Sequence, residues 1–250
     1  MNRAKRSGAQ LRNTYDDRRY AAAYARLEFA GTYYLAFRDL PAIVSAHVAG
    51  RRALDFGCGA GRSTRLLRQC GFEVIGVDIA EPMVLRAREA DPEGDYRLIG
   101  DGDSSGLPAA AFDLVLCAFT FDNIPTMERK VGLFGALRAL LAPAGKIVNL
   151  VSSPDIYRHE WASFSTRDFP ENRRARSGDV VKIVNVAIGD RRACEDVLWT
   201  DDAYEEVYRR AGLAEVQAYR PLARAEEPYE WVSETTIPPW VIYVLAPAPA

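Results

Sequence analysis

Asp78 stands 21 residues after Gly57. That is the interval at which an acid closing a second strand reaches the ribose of a nucleotide seated on a glycine turn. Gly57, Gly59 and Gly61 fall at alternate positions in D-F-G-C-G-A-G, and glycine tolerates positive φ while letting a ligand approach the backbone closely. Further along, G-D-G-D supplies Asp101 and Asp103, and F-T-F-D-N-I-P supplies Asp122 and Asn123. Tyr157, His159, Glu160 and Trp161 then gather groups that can take a proton or face an apolar ligand. The first set is chemistry for holding a nucleoside, the later sets chemistry for a second ligand.

These residues need particular elements beneath them. Ala53–Phe56 is a short run suited to a buried strand. Ser63–Gln69 reads as a helix with Leu66 and Leu67 inward, stopped by Gly71 as a C-cap glycine. Phe72–Val77 is a second apolar run ending at Asp78. Strand, glycine turn, helix, strand and acid make half of a nucleotide-binding unit, which takes its ligand outside the carboxyl ends of the strands. A helix over Pro82–Ala90, a third strand over Asp95–Ile99 and a fourth over Phe112–Cys117 continue the alternation. Met127–Leu141 is an amphipathic helix with Val131, Phe134, Leu137 and Leu141 inward, and Ile147–Val151 is the fifth strand.

A dinucleotide fingerprint would put its third glycine at position 62, where Arg62 stands. The pattern instead resembles the class I S-adenosylmethionine-dependent methyltransferases. Their first motif is a strand ending in an acid followed by x-G-x-G-x-G, and their second is an acid closing the next strand. Asp55, Gly57, Gly59, Gly61 and Asp78 match position by position, and the resemblance runs from about Arg52 to Leu150. It implies an α/β doubly wound, mostly parallel seven-stranded sheet with N-terminal helices and an insertion after strand five. It implies S-adenosyl-L-methionine as cofactor, with Asp78 at the ribose, Ile79 among the cofactor-binding residues and Met83 near the cofactor edge. Asp101 and the Gly102 amide fall at the adenine, with Asp103 as the alternative and an aspartate-held turn as the plain reading. Phe119 packs beneath the methionine part.

The flanks are assigned less by motif than by composition. Thr14–Val48 is rich in tyrosine and phenylalanine; Tyr20, Tyr24 and Leu27 have helical spacing, and Pro41–Val48 opens a second helix. Most of these rings suit a core, while Tyr15 and Tyr33 are assigned to the cofactor. Phe121, Asn123 and Trp161 are assigned to the acceptor, and His159, Tyr157 and Asp122 to proton transfer. Two readings stay open for several of them. Asp122–Asn123 either contacts an acceptor or caps the following helix, His159 is either a base or a surface residue, and the insertion's aromatics either wall a pocket or make a dimer contact. Val180–Ile188 alternates as a strand, and Cys194–Leu198 pairs back on it. Thr200 is expected to N-cap a helix over Asp201–Gly212, with Ala214–Tyr219 and Trp240–Leu245 as the last strand pair. Four segments result: a helical cap over 1–48, a cofactor-binding core over 49–151, an insertion over 152–199 and a closing helix and strand pair over 200–250.

Composition narrows the partners. A net charge of −2 argues against a general nucleic-acid surface, and the absence of an N-P-P-Y-type tetrapeptide after strand four weakens RNA methylation. Cys58, Cys70, Cys117 and Cys194 lack zinc-ligand spacing, so no metal is expected and a reducing cytoplasm suits them. Neither a secretory signal nor a membrane helix is expected. The expectation is a cytoplasmic enzyme, monomer or homodimer, that moves a methyl group to a nitrogen, oxygen or carbon of a small molecule. The rivals are a nucleotide-dependent oxidoreductase and a non-catalytic cofactor-binding partner subunit.

Overall fold

The computed structural model describes residues 14–249; the expectation of a loose N-terminal segment over 1–13 lies outside them. The chain opens with α1 (Arg18–Tyr24), α2 (Thr32–Arg38) and α3 (Leu40–His47). The alternating core follows: β1 (Arg52–Phe56), α4 (Arg62–Gln69), β2 (Glu73–Asp78), α5 (Glu81–Ala90), β3 (Asp95–Leu98), β4 (Phe112–Ala118), α6 (Met127–Leu140) and β5 (Leu141–Ser152). Next come β6 (Phe164–Ser165), β7 (Val180–Asn185) and β8 (Ala193–Val197), then α7 (Asp201–Arg210), β9 (Leu213–Tyr219) and β10 (Trp240–Pro247).

Seven strands form the main sheet in the order β3-β2-β1-β4-β5-β10-β9. β1 pairs in parallel with both β2 and β4, whereas β10 runs antiparallel to β5 and β9. The central strands are apolar almost throughout because both faces are covered. Alternation sorts their side chains: Leu114 and Leu116 of β4 pack with Leu35, Phe37 and Ile43 on one face. Val115 and Cys117 pack with Phe134, Leu137 and Tyr208 on the other. The strand order reverses between β1 and β4, so the ligand-binding crevice opens at their carboxyl ends.

Where the structure departs from the sequence reading, a local cause is visible. Thr14–Val48 holds an additional helix, α2, because the chain turns at Gly31 with φ +59°. β5 starts at Leu141, six residues before Ile147. Gly145 makes this possible, since a Cβ there would meet the Phe112 carbonyl at 2.6 Å. β7 stops at Asn185, whose side chain accepts from Ala187 N at 3.0 Å and starts the turn. Thr200 does not cap α7 with its side chain; its hydroxyl lies 2.8 Å from Ser177 Oγ instead.

β6, β7 and β8 form a separate antiparallel sheet. One carboxylate ties it to α2 and to the loop before β10. Glu234 is wholly buried and accepts from Thr32 Oγ1 and Ala162 N, each at 2.7 Å, and from Val232 N at 2.8 Å.

Candidate active site

The glycine turn is shaped by steric necessity. Gly57, Gly59 and Gly61 have φ of +79°, +53° and +80°. A Cβ on Gly57 would collide with the Thr120 side chain, and one on Gly61 would lie 2.7 Å from the Tyr96 hydroxyl. Thr120 is itself fixed, donating to the Phe56 carbonyl at 2.7 Å. Gly57 N and Cys58 N both donate to Val77 O, which locks the turn to the end of β2.

Asp78 sits at that end with one oxygen accepting from Gly59 N and the other from Ala80 N, each at 2.8 Å. Burial raises its pKa and the two amides oppose the rise. Each carboxylate oxygen keeps lone-pair capacity beyond its amide. Asp55 lies beneath, wholly buried. Its Oδ2 accepts from Ser63 Oγ at 2.7 Å and Thr64 Oγ1 at 2.6 Å, while Oδ1 has no partner. Burial pushes this carboxyl up to about 6 against those two hydroxyls.

Two neighbouring cavities open here, one over the turn and one beside it. The first is lined by Gly57, Gly59, Ala60, Tyr24, Arg62 and Phe119 among others. Arg62 is 9% exposed. Its guanidinium lies 4.7 Å from the centroid of Tyr33 and 4.8 Å from that of Phe37, and it donates to Glu28 O at 2.7 Å. Among the described residues no carboxylate forms an ion pair with it. The second cavity shares Tyr24 and Phe119 with the first. Its walls are Tyr15, Tyr33, Tyr157 and Trp240, with Asp122, Asn123, Ser152 and Asp196 as the polar groups.

Asp122 is 5% exposed and accepts from Ser152 Oγ at 2.8 Å and Ser152 N at 3.2 Å. Asp196 is half-buried and accepts from the Tyr157 hydroxyl at 3.1 Å. Burial raises the pKa of both, and the charge of Asp122 raises that of Asp196 further. Lys130 lies behind Asp122, wholly buried, donating to the Phe121 carbonyl and to Tyr204 Oη. Burial lowers its pKa and Asp122 opposes the fall.

The structure gathers only part of the residues singled out from the sequence. Gly57, Gly59, Gly61 and Asp78 meet at one crevice, with buried Met83 beneath them and Tyr15 packed against Met83 and Ala80. Ile79 beside Asp78 is 47% exposed. Tyr33 lines the second cavity, stacked on Trp240 at 5.8 Å. Asp101 is exposed and paired with Arg129, Gly102 turns with φ +73°, and Asp103 accepts from Ser105 N. Asn123 lines the second cavity, and Thr126, not Asp122 or Asn123, caps α6. Phe121 points the other way, stacked on Phe134 at 3.9 Å in the core. Trp161 is also core, 3% exposed, with its indole bonded to Ile156 O. His159 packs edge-on against Trp161 and lines neither cavity.

Asp196, Ser152, Arg62 and Trp240 were not singled out as site residues. A signal existed for Asp196: in A-C-E-D-V it shares an alternation face with Cys194, and an acid on the inner face of a strand is unusual.

The sheet order, the glycine turn and the acid at the end of β2 together define a class I methyltransferase fold. Over residues 54–149 the chain matches the family model described as a methyltransferase domain. Over that stretch it is similar to S-adenosylmethionine-dependent methyltransferases. It is 32% identical over 103 residues to a ubiquinone biosynthesis O-methyltransferase of Xanthomonas axonopodis pv. citri, covering 40% of this chain and 42% of that one. The chain thus spans less than half the length of that relative. It is 29% identical over 199 residues to a trans-aconitate 2-methyltransferase of Paracidovorax citrulli, covering 77% of this chain and 71% of that one. A solved methyltransferase from Clostridium acetobutylicum superposes with a TM-score of 0.62 at 12% identity, over 92% of this chain and 98% of that one. That likeness supports the fold. Among the described residues no helix is long and apolar enough to cross a membrane, and no cluster could hold a metal ion.

S-adenosylmethionine is the cofactor of the family, and the residues present fit it. Asp55 keeps an orphaned buried oxygen under the turn, Asp78 offers a carboxylate at its rim, and Arg62 offers a guanidinium with no acid of its own.

Proposed function

We propose that the chain transfers a methyl group from S-adenosylmethionine to a nitrogen, oxygen or carbon atom of a small molecule. The observation that carries this reading is the sharing of Tyr24 and Phe119 by two adjoining cavities, one over the glycine turn and one walled by aromatic rings. A donor and an acceptor held there would meet across a common edge.

In this reading Asp78 takes the ribose hydroxyls, Gly59 and Ala60 allow close approach, and Arg62 takes the carboxylate of the amino-acid part. Asp101 and Gly102 are assigned to the adenine, which requires Asp101 to leave Arg129. When bound, the cofactor supplies a methyl carbon already activated by a sulfonium. The chain's own work is alignment and the exclusion of water by the rings of the second cavity. Asp122 and Asp196 stand where a proton would be accepted, and Tyr157 orients Asp196. His159 is given no step. The segment 152–199 acts as the acceptor wall, and 1–48 as the cap over both cavities. The chain works in the cytoplasm, as a monomer or homodimer, and not on nucleic acid, in keeping with a net charge of −2.

Calorimetry with adenosylhomocysteine tests this. Binding, with a rise in melting temperature that NAD does not reproduce, is the expected result. A rise with NAD alone would replace the reading with an oxidoreductase.

A further inference from the structure

Resting on that reading, we infer that the acceptor is an amine: the second cavity is built to hold a small molecule by its ammonium group, beside the methyl donor. The walls and the polar groups point to the same ligand. Tyr15, Tyr24, Tyr33 and Trp240 line it, and aromatic rings attract a cation. The carboxylates Asp122 and Asp196 line the same space. Among the described lining residues there is no Lys, Arg or His to neutralise them.

Charge accounting sharpens this. Among the described residues, Lys130 lies behind Asp122 and Arg62 on the far side of Tyr33, while Arg192 sits over Tyr20 with Asp190 and Asp17 as its own partners. Arg62 opens onto the first cavity. With both carboxyls ionised and Lys130 protonated, one negative charge is left unmet in an aromatic cavity, a charge that a ligand cation would meet. An unmet charge in such a medium is costly. Asp122 is already well donated to by Ser152. Asp196 receives only the Tyr157 hydroxyl among the described residues. It therefore has acceptor capacity left for a ligand N–H. A phenolate or carboxylate acceptor would place a third anion beside the other two, a repulsive arrangement that selects against it.

The chemistry balances. The acceptor enters as an ammonium and gives one proton to the carboxylate pair, exposing the nitrogen lone pair. That pair forms the N–C bond as the methyl carbon leaves sulfur. The C–S bonding electrons stay on sulfur, which becomes a neutral thioether, and the positive charge passes to nitrogen. The proton held by the carboxylates then leaves to water.

The test uses three isosteric probes, phenethylamine, 2-phenylethanol and phenylacetate, titrated into the full chain loaded with adenosylhomocysteine. We expect the amine to bind at least about tenfold tighter than the alcohol, as befits a charge-assisted bond, and the acid not to bind. Asp196→Asn should remove that preference while leaving adenosylhomocysteine affinity within about twofold. Should that variant not fold, the ranking of the three probes on the wild-type chain decides alone. Equal or tighter binding of the alcohol or acid, no binding of the amine, or a preference surviving in folded Asp196→Asn overturns the inference. Failure of adenosylhomocysteine itself to bind would instead bring down the methyltransferase reading, so the two failures are distinguishable.

Discussion

The Tyr157 hydroxyl donates to Asp196 Oδ2 across 3.1 Å, joining the turn after β5 to the inner face of β8. This bond opposes the upward push that burial and Asp122 exert on the Asp196 carboxyl. In Tyr157→Phe the opposition is gone and the carboxyl holds its proton to higher pH. The acid limb of the kcat/KM profile should therefore move upward, by at most about one pH unit. An unmoved limb would show that Asp196 does not titrate in turnover.

The same carboxyls make stability depend on pH. Asp55, Asp122 and Asp196 all have raised folded-state values, so the folded chain holds protons that the unfolded chain has released. Stability is then greatest below the unfolded carboxylate range near pH 4 and falls as pH rises toward neutrality, by on the order of 1–2 kcal/mol per group. Lys130, with its lowered value, acts above that window and with the opposite sign. Urea unfolding of the ligand-free chain between about pH 4.5 and 7 should show the fall, and Asp122→Asn should make it shallower.

Asp78→Ala should weaken adenosylhomocysteine binding by on the order of 1.5–3 kcal/mol, the value of a charge-assisted hydrogen bond. Asp78→Asn keeps one acceptor oxygen and should lose less. Calorimetry at fixed pH checks both, and unchanged affinity in the alanine variant would remove Asp78 from the site.

Arg62→Met keeps much of the bulk inside the aromatic cage and deletes the charge. Affinity for adenosylhomocysteine should fall by roughly tenfold or more, whereas adenosine, which lacks the carboxylate, should bind as before. An equal loss for both ligands would mean that Arg62 only shapes the turn.

Trp161→Ala should act on stability. The ring is buried and its indole is satisfied by Ile156 O, so truncation should cost about 3–5 kcal/mol. Adenosylhomocysteine affinity of the folded fraction should be retained. A selective loss of acceptor binding with unchanged stability would return this residue to the pocket.

The cofactor half of the site was legible because it is local. Asp55, three glycines and Asp78 lie within one strand-turn-helix-strand unit, and their spacing alone brings them together. The seven-stranded sheet was expected from the family resemblance that those same residues carry. The acceptor half was not legible in that way. Asp122 and Asp196 meet through the placing of β8, which no short-range pattern specifies. Aromatic residues gave an ambiguous signal, since a ring serves a core and a pocket equally well: Tyr33 lines the cavity, while Phe121 and Trp161 went to the core. Thr200 carried the composition of a cap, yet a nearer partner, Ser177, took its hydroxyl.

Glu234 gives the acceptor wall a history as well as a shape. Its bond to Thr32 closes a sequence separation of 202 residues, and the Thr32–Ser163 bond closes 131. Closing such long loops costs chain entropy before any contact repays it. The nucleotide crevice, made from consecutive units, can form while the C-terminal loop is still unplaced, but the wall over 152–199 cannot be fastened until residue 234 arrives. During synthesis the glycine turn and its flanking strands can therefore be in place before the wall over 152–199 is fastened. A C-terminal truncation would hold the chain at that stage.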